Sequence, residues 1–163
     1  MRAESVHAAL LIVIIAGLGL AGFAAFESVY PPAQGFCSVN SYISCAKVVS
    51  SNHTTIGPVP DYAIGIAGFL LLLVVDIPLY LTWRPDLLKA LVGLSALGVA
   101  VSVYFAYVEL AIIQALCLVC FSTYLANGAV LALSLYLLRT SSSEAPDADA
   151  KESATESEPN AST

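Results

Sequence analysis

Four apolar stretches, each close to the roughly 20 residues a helix needs to cross a bilayer, constrain this chain more than any other feature. The first runs from about Val6 to Phe26 and ends at Glu27 and the Pro31-Pro32 pair. The second runs from about Tyr62 to Leu81 and stops at Trp83-Arg84-Pro85. The third covers about Leu87 to Val108 and the fourth about Leu116 to Leu138. Their interiors are almost free of charge, with Asp76, just before Pro78, as the exception. The pattern predicts an all-α integral membrane four-helix bundle with a cysteine-bearing outer loop between helices 1 and 2.

Composition supports a membrane body. Only 11% of the 163 residues are charged, 58% are hydrophobic and the mean hydropathy is +0.83, whereas a soluble domain carries about 25% charged residues. The net charge of −6 is also localised. From Ser141 onward the chain holds six acidic residues and one Lys, so the body is nearly neutral. We therefore divide the chain into a membrane domain, residues 1–139, and an acidic tail, residues 140–163. The tail lacks the apolar residues that would offset ordering entropy and is expected to be disordered. Nothing in this composition calls for a nucleic-acid partner.

The first stretch has some features of a secretory signal peptide, with Arg2 ahead of it and small residues at Ala24-Ala25. Its apolar run exceeds the 7–15 residues or so of a signal h-region, so we read it as a membrane helix. Arg2, Arg84, Lys89 and Arg139 fall on one side of the spans and only Lys47 on the other. The positive-inside rule then predicts a multi-pass cell membrane protein with both termini and the tail cytoplasmic. The 27–61 loop and a short 109–115 turn lie outside, and all four cysteines sit at or near the outer face.

Those cysteines occur as C-x7-C, Cys37 and Cys45, in the long loop, and as C-x2-C, Cys117 and Cys120, at the start of the fourth span. Thiols facing an oxidising compartment tend to pair. Two thiols three residues apart on a helix share a face, and the helix N-terminus favours a thiolate at Cys117. At about 100° per residue, Cys117, Cys120, Tyr124 and Asn127 fall within about 80° of one another. Such a polar stripe inside lipid points into a bundle and marks a functional path. A thiol pair at the membrane surface needs an electron acceptor or donor that lives in lipid. A quinone fits, because it takes the two electrons and two protons that closing a disulfide releases. The loop pair can meet a soluble thiol protein and exchange with the CxxC through mixed disulfides.

Other readings of the same residues stay open at this point. Zinc is disfavoured because structural sites use paired knuckles in polar segments, and no metal is expected. Cys117 and Cys120 could be small buried core residues. Cys37 and Cys45 could be a plain loop staple in a non-enzymatic four-span scaffold. His53, in the outer loop, reads as a solvated side chain.

Around these cysteines the sequence resembles the vitamin K epoxide reductase family, in particular its bacterial and archaeal homologues. The matching residues are Cys37-Ser-Val-Asn-Ser-Tyr-Ile-Ser-Cys45, continuing to Ser50-Ser51, and Cys117-Leu-Val-Cys120-Phe-Ser-Thr-Tyr124. Pro60-Asp61-Tyr-Ala-Ile-Gly65 looks like the family's approach to its second membrane helix. The likeness covers about residues 6–138 and leaves out the tail.

The resemblance implies a thiol–quinone oxidoreductase using a menaquinone, ubiquinone or vitamin K type quinone. It makes Cys117 and Cys120 the active-site pair, with Cys120 nearest the quinone, and Cys37 and Cys45 the shuttle pair. Cys45 would bridge to Cys117, and Cys37 would contact a separate thioredoxin-like protein on the outer face. Ser51 matches a serine that steadies the loop or a reacting sulfur, and Tyr124 a tyrosine that hydrogen-bonds a quinone oxygen. Asp61 departs from the pattern, standing where animal enzymes carry an Asn that donates to a ketone. An ionised Asp only accepts, and capping the second helix suits it. A vitamin K epoxide reductase proper is the alternative activity on the same scaffold.

Overall fold

The computed structural model describes residues 3–30, 40, 42–49, 51, 55–56, 58–82 and 84–155. Helix α1 spans Ala3–Val29, the short α2 Cys45–Val49, and strands β1 and β2 are Thr55–Ile56 and Val59–Pro60. Helix α3 spans Asp61–Thr82, α4 Pro85–Tyr107, a π-helical turn Val108–Ile113, and α5 Leu118–Thr155. Among the described residues, four helical segments are long and apolar enough to cross a membrane: Ser5–Val29, Asp61–Thr82, Pro85–Ile113 and Leu118–Ser141. In lipid every backbone N–H and C=O needs a partner from the protein itself, which a helix supplies within one segment. The protein is thus an all-α, four-helix membrane-spanning bundle.

Local chemistry sets the helix boundaries. Before α4, Arg84 is extended (φ −83°, ψ 124°) and Pro85 takes the first helical position, where its missing N–H costs nothing. Pro78 lies inside α3 near its end, and Thr82 Oγ1 donates back to the Pro78 carbonyl at 2.7 Å. The backbone of α5 continues past its apolar span to Thr155, into the first part of the acidic segment.

The third span is longer than hydropathy suggests, and this corrects the expected 109–115 turn. Val-Glu-Leu-Ala-Ile-Ile (108–113) continues helically as a wide turn, because its residues are apolar apart from a buried Glu109. Reversal comes at Gln114, which adopts a left-handed conformation with φ 53°. Its N–H and that of Ala115 both return to the Glu109 carbonyl.

The long helices form a ring in chain order: α1 packs on α3 and α5, and α4 packs on α3 and α5. Leu10 and Ile14 of α1, Leu91 of α4 and Val130 of α5 are fully buried, while Val74, Leu81, Leu97 and Val103 stay exposed around the perimeter. Association in lipid depends on close van der Waals packing rather than on a hydrophobic drive. Two glycines make that packing feasible. A Cβ on Gly17 would collide with the Phe69 ring, and one on Gly98 would lie 2.5 Å from Asn127 Nδ2.

Up-and-down connectivity puts the C-terminal part of α1, the start of α3, the π-helical turn and the start of α5 at one end of the bundle. The opposite end holds a buried His7 whose Nδ1 lies 3.9 Å from Asp76 Oδ1. The loop that carries Cys45 lies between α1 and α3, over the first end.

Candidate functional site

The loop is tied down by backbone pairing. The Asn40 side-chain oxygen accepts from the N–H groups of Tyr42 and Ile43, at 2.9 and 2.8 Å, a local turn that Asn favours. Ile43 then forms a parallel bridge with Leu116. Leu116 N–H donates to the Tyr42 carbonyl at 2.8 Å, and Ser44 N–H to the Leu116 carbonyl at 3.2 Å. Ser44 Oγ accepts from Lys47 N–H at 3.3 Å, so Ser44 caps α2 and Cys45 becomes its first residue. This clamp lays residues 42–48 across the segment that leads into the CxxC, and Cys45 and Val48 are both fully buried.

Cys117 plays the same part at α5. Its carbonyl accepts the first helical bond, from Phe121 N–H at 2.9 Å, and its Sγ accepts from Cys120 N–H at 3.3 Å. The sulfur therefore does what a Ser or Asp oxygen does at an ordinary helix start. Cys117 Sγ also lies 3.2 Å from Cys45 Sγ. That exceeds the 2.05 Å or so of a disulfide and lies within the roughly 3–3.5 Å of a near-attack arrangement. Cys117 and Cys120 are both free and both buried.

One residue missed in the sequence organises these groups. The Glu109 carboxylate is buried. Its Oε2 accepts from Cys117 N–H at 3.3 Å and its Oε1 accepts from the Tyr124 hydroxyl at 2.8 Å. A single carboxylate thus joins the CxxC to the tyrosine one turn below it. The signal for it was present: an ionisable residue in an otherwise apolar run inside a membrane is functional by default.

Below the cysteines the helices enclose a cavity of about 380 Å³, within the size range of small-molecule sites. Its walls are mostly apolar, from Ala21 and Ala24 of α1, Phe69 of α3 and Leu94 of α4 among others, with Asp61, Cys120, Tyr124 and Asn127 as polar points. Cys120 reaches this wall; Cys117 and Cys45 do not. Asn127 Nδ2 donates to Ser102 Oγ at 3.3 Å, while its buried Oδ1 has no partner among the described residues. An apolar slot bordered by a thiol, a phenol and an amide suits a largely apolar ligand with a few polar groups.

The structure brings together Cys45, Cys117, Cys120, Tyr124, Asn127 and Asp61. Asp61 opens α3, and its Oδ1 accepts from Tyr62 N–H at 2.7 Å. It holds the helix start and faces the cavity at once. Ser51 closes α2, its N–H donating to the Val48 carbonyl at 3.1 Å, and is not among the cavity residues. Cys37, His53 and Arg2 lie outside the described residues.

The strap, the buried thiol pair and the cavity lie within the region that matches a known family. The model of the Vitamin K epoxide reductase family matches residues 8–135, well over half of the chain. From the four-span bundle and this match, the chain belongs to the vitamin K epoxide reductase family.

Proposed function

We propose that the protein is a membrane thiol–quinone oxidoreductase that reoxidises a separate thioredoxin-like protein and reduces a lipid-soluble quinone, so supporting disulfide formation in exported proteins. Family membership gives it an enzymatic, redox-related role in general terms. The observation that carries the finer reading is the sulfur geometry. Cys45 Sγ meets Cys117 Sγ at 3.2 Å, and Cys120, three residues on, reaches the wall of the apolar cavity.

The cycle begins at Cys37 and Cys45, whose disulfide takes two electrons from the thioredoxin-like dithiol. Cys45 thiolate attacks Cys117 Sγ, breaking the Cys117–Cys120 bond and forming a Cys45–Cys117 mixed disulfide. Cys37 then attacks Cys45, which frees Cys117 and leaves a dithiol beside the cavity. A bound menaquinone, ubiquinone or vitamin K type quinone supplies an acceptor for the two electrons and two protons released as Cys117 and Cys120 close again. Tyr124 and Asn127 orient the ligand, Asp61 fixes the start of α3 beside it, and Ser51 holds the end of α2. Every exchange is a direct sulfur displacement, so the 3.2 Å approach matters more than any other distance.

The proposed orientation rests on charge. Arg84, Lys89 and Arg139 lie at the bundle end opposite the cysteines, and this charge bias supports an arrangement with the cysteine-bearing loop and its partner outside the cell and both termini inside. The test is quinone reduction by reduced partner protein in reconstituted vesicles. Cys117→Ala or Cys120→Ala abolishes it; normal turnover in either would sink the mechanism.

A further inference from the structure

Glu109 has no part in the sulfur exchange, yet among the described residues it is the one carboxylate that hydrogen-bonds both the CxxC and the tyrosine at the cavity. Both of its oxygens accept, one from a backbone N–H that has no other role and one from the Tyr124 hydroxyl. This has a consequence for Tyr124. A phenol has a single proton, and here Tyr124 gives it to Glu109 at 2.8 Å. Tyr124 cannot donate into the cavity while that bond stands. It becomes a donor toward the cavity when Glu109 itself carries a proton, because the acid can then donate to the phenol oxygen. The source of that proton is the CxxC whose Cys117 N–H holds the same carboxylate, because its two thiols lose theirs on oxidation.

We propose that Glu109 is the proton carrier of the Cys117–Cys120 pair, taking the thiol proton as the pair oxidises and handing it through the Tyr124 hydroxyl to the cavity. The proposal rests on the quinone reading above. In the balanced step the Cys117–Cys120 bond forms, two S–H bonds break, and two electrons pass to the quinone. The Cys120 proton moves to Glu109 while the Tyr124 proton moves into the cavity, and Glu109 then restores the phenol. The Cys117 proton follows by a second passage, giving the two protons that convert a quinone to a hydroquinone. Without such a carrier, two protons would be left in a buried site where an unpaired charge is costly.

The groups around Glu109 are those such a carrier needs. The Cys117 N–H and the Tyr124 hydroxyl meet it at and after the start of α5, the Cys117 sulfur holds Cys120 N–H beside it, Asp61 stands at the start of α3 on the cavity wall, and α2 contributes Cys45, against Cys117. Asp61 makes its own bond to Tyr62 N–H, which leaves Glu109 as the carboxylate between thiol and phenol. The Cys117 N–H bond anchors its other oxygen, so the carboxyl stays in place through both protonation states.

The test uses the full-length protein in lipid and two readouts. In the first, no quinone is present and the pair is taken from dithiol to disulfide by ferricyanide, which accepts electrons and no protons, while infrared difference spectra are recorded. With nothing in the cavity to take it, the proton stays on Glu109. A carboxylic acid C=O band therefore appears on oxidation, is absent in Glu109→Gln, and persists in Asp61→Asn. In the second, pre-reduced protein is mixed with a water-soluble ubiquinone analogue in a single turnover. Glu109→Gln slows the reaction by about 100-fold or more, the scale of a lost proton-transfer group, and leaves binding of the analogue intact. A merely structural role would weaken binding and thermal stability together. No band in the wild-type protein, or a Glu109→Gln variant that turns over normally, overturns the proposal. If Glu109→Gln does not fold, the wild-type band with ¹³C-labelled glutamate decides. A wild-type protein that shows the band but never reduces quinone would instead overturn the quinone reading.

Discussion

Gly98 offers a direct way to perturb the cavity without touching a cysteine. A Cβ at this position would lie 2.5 Å from Asn127 Nδ2, 3.0 Å from Oδ1 and 3.1 Å from Cγ. The obstructing group is a short, buried amide held by Ser102, so it yields only by leaving that bond or by pushing α4 and α5 apart. Overpacking a tight contact costs about 1–3 kcal/mol, and losing a buried hydrogen bond adds about 1–3 kcal/mol. Alanine returns about 1 kcal/mol of helix propensity. Gly98→Ala should therefore destabilise the bundle by about 1–5 kcal/mol and weaken quinone binding, because Asn127 is displaced at the cavity wall. Thermal unfolding in detergent, with quinone titration alongside, reads both. Asn127→Ala removes the obstruction, so the Gly98→Ala/Asn127→Ala pair should be more stable than additivity requires, by about 1–2 kcal/mol. Full additivity, or a Gly98→Ala protein as stable as wild type with unchanged quinone affinity, would refute the packing argument.

Two further perturbations separate the strap from the site. Cys37→Ala should block reduction by the thioredoxin-like partner yet let a small dithiol reduce Cys117–Cys120 directly; equal loss with both donors, followed by quinone absorbance, would count against a shuttle. Gln114 holds φ 53° without being glycine. Gln114→Gly should then be neutral or stabilising by up to about 1 kcal/mol, while Gln114→Val should cost about 1–2 kcal/mol in thermal unfolding.

Hydropathy alone locates the membrane spans, because lipid leaves few ways for a long apolar segment to satisfy its backbone. Helical phase collects Cys117, Cys120, Tyr124 and Asn127 on one face, of which the last three line one cavity and Cys117 does not. Contacts made across the chain are a different matter. The approach of Cys45 to Cys117 depends on the Ile43–Leu116 bridge, a pairing of two short irregular segments that no periodicity encodes. Only the family resemblance pointed to it. Glu109 escaped notice because it follows an apolar span and precedes the CxxC, where an acid looks like a surface residue ending a helix. The π-helical turn Val108–Ile113 continues the helix beyond that point and carries the carboxylate inward. The double use of Asp61, at a helix start and on a cavity wall, is similarly visible only once α1, α4 and α5 enclose the space in front of it.

The central claim is that electrons leave the protein through Cys120. Anaerobic mixing of the reduced, lipid-embedded protein with a ubiquinone analogue tests it most directly, with quinone absorbance and the thiol state of Cys117 and Cys120 followed together. The account predicts loss of the quinone band in step with formation of the Cys117–Cys120 disulfide, and no loss of the band in Cys120→Ser. Quinone reduction by Cys120→Ser at the wild-type rate, or a wild-type dithiol that persists unchanged beside the quinone, would contradict it.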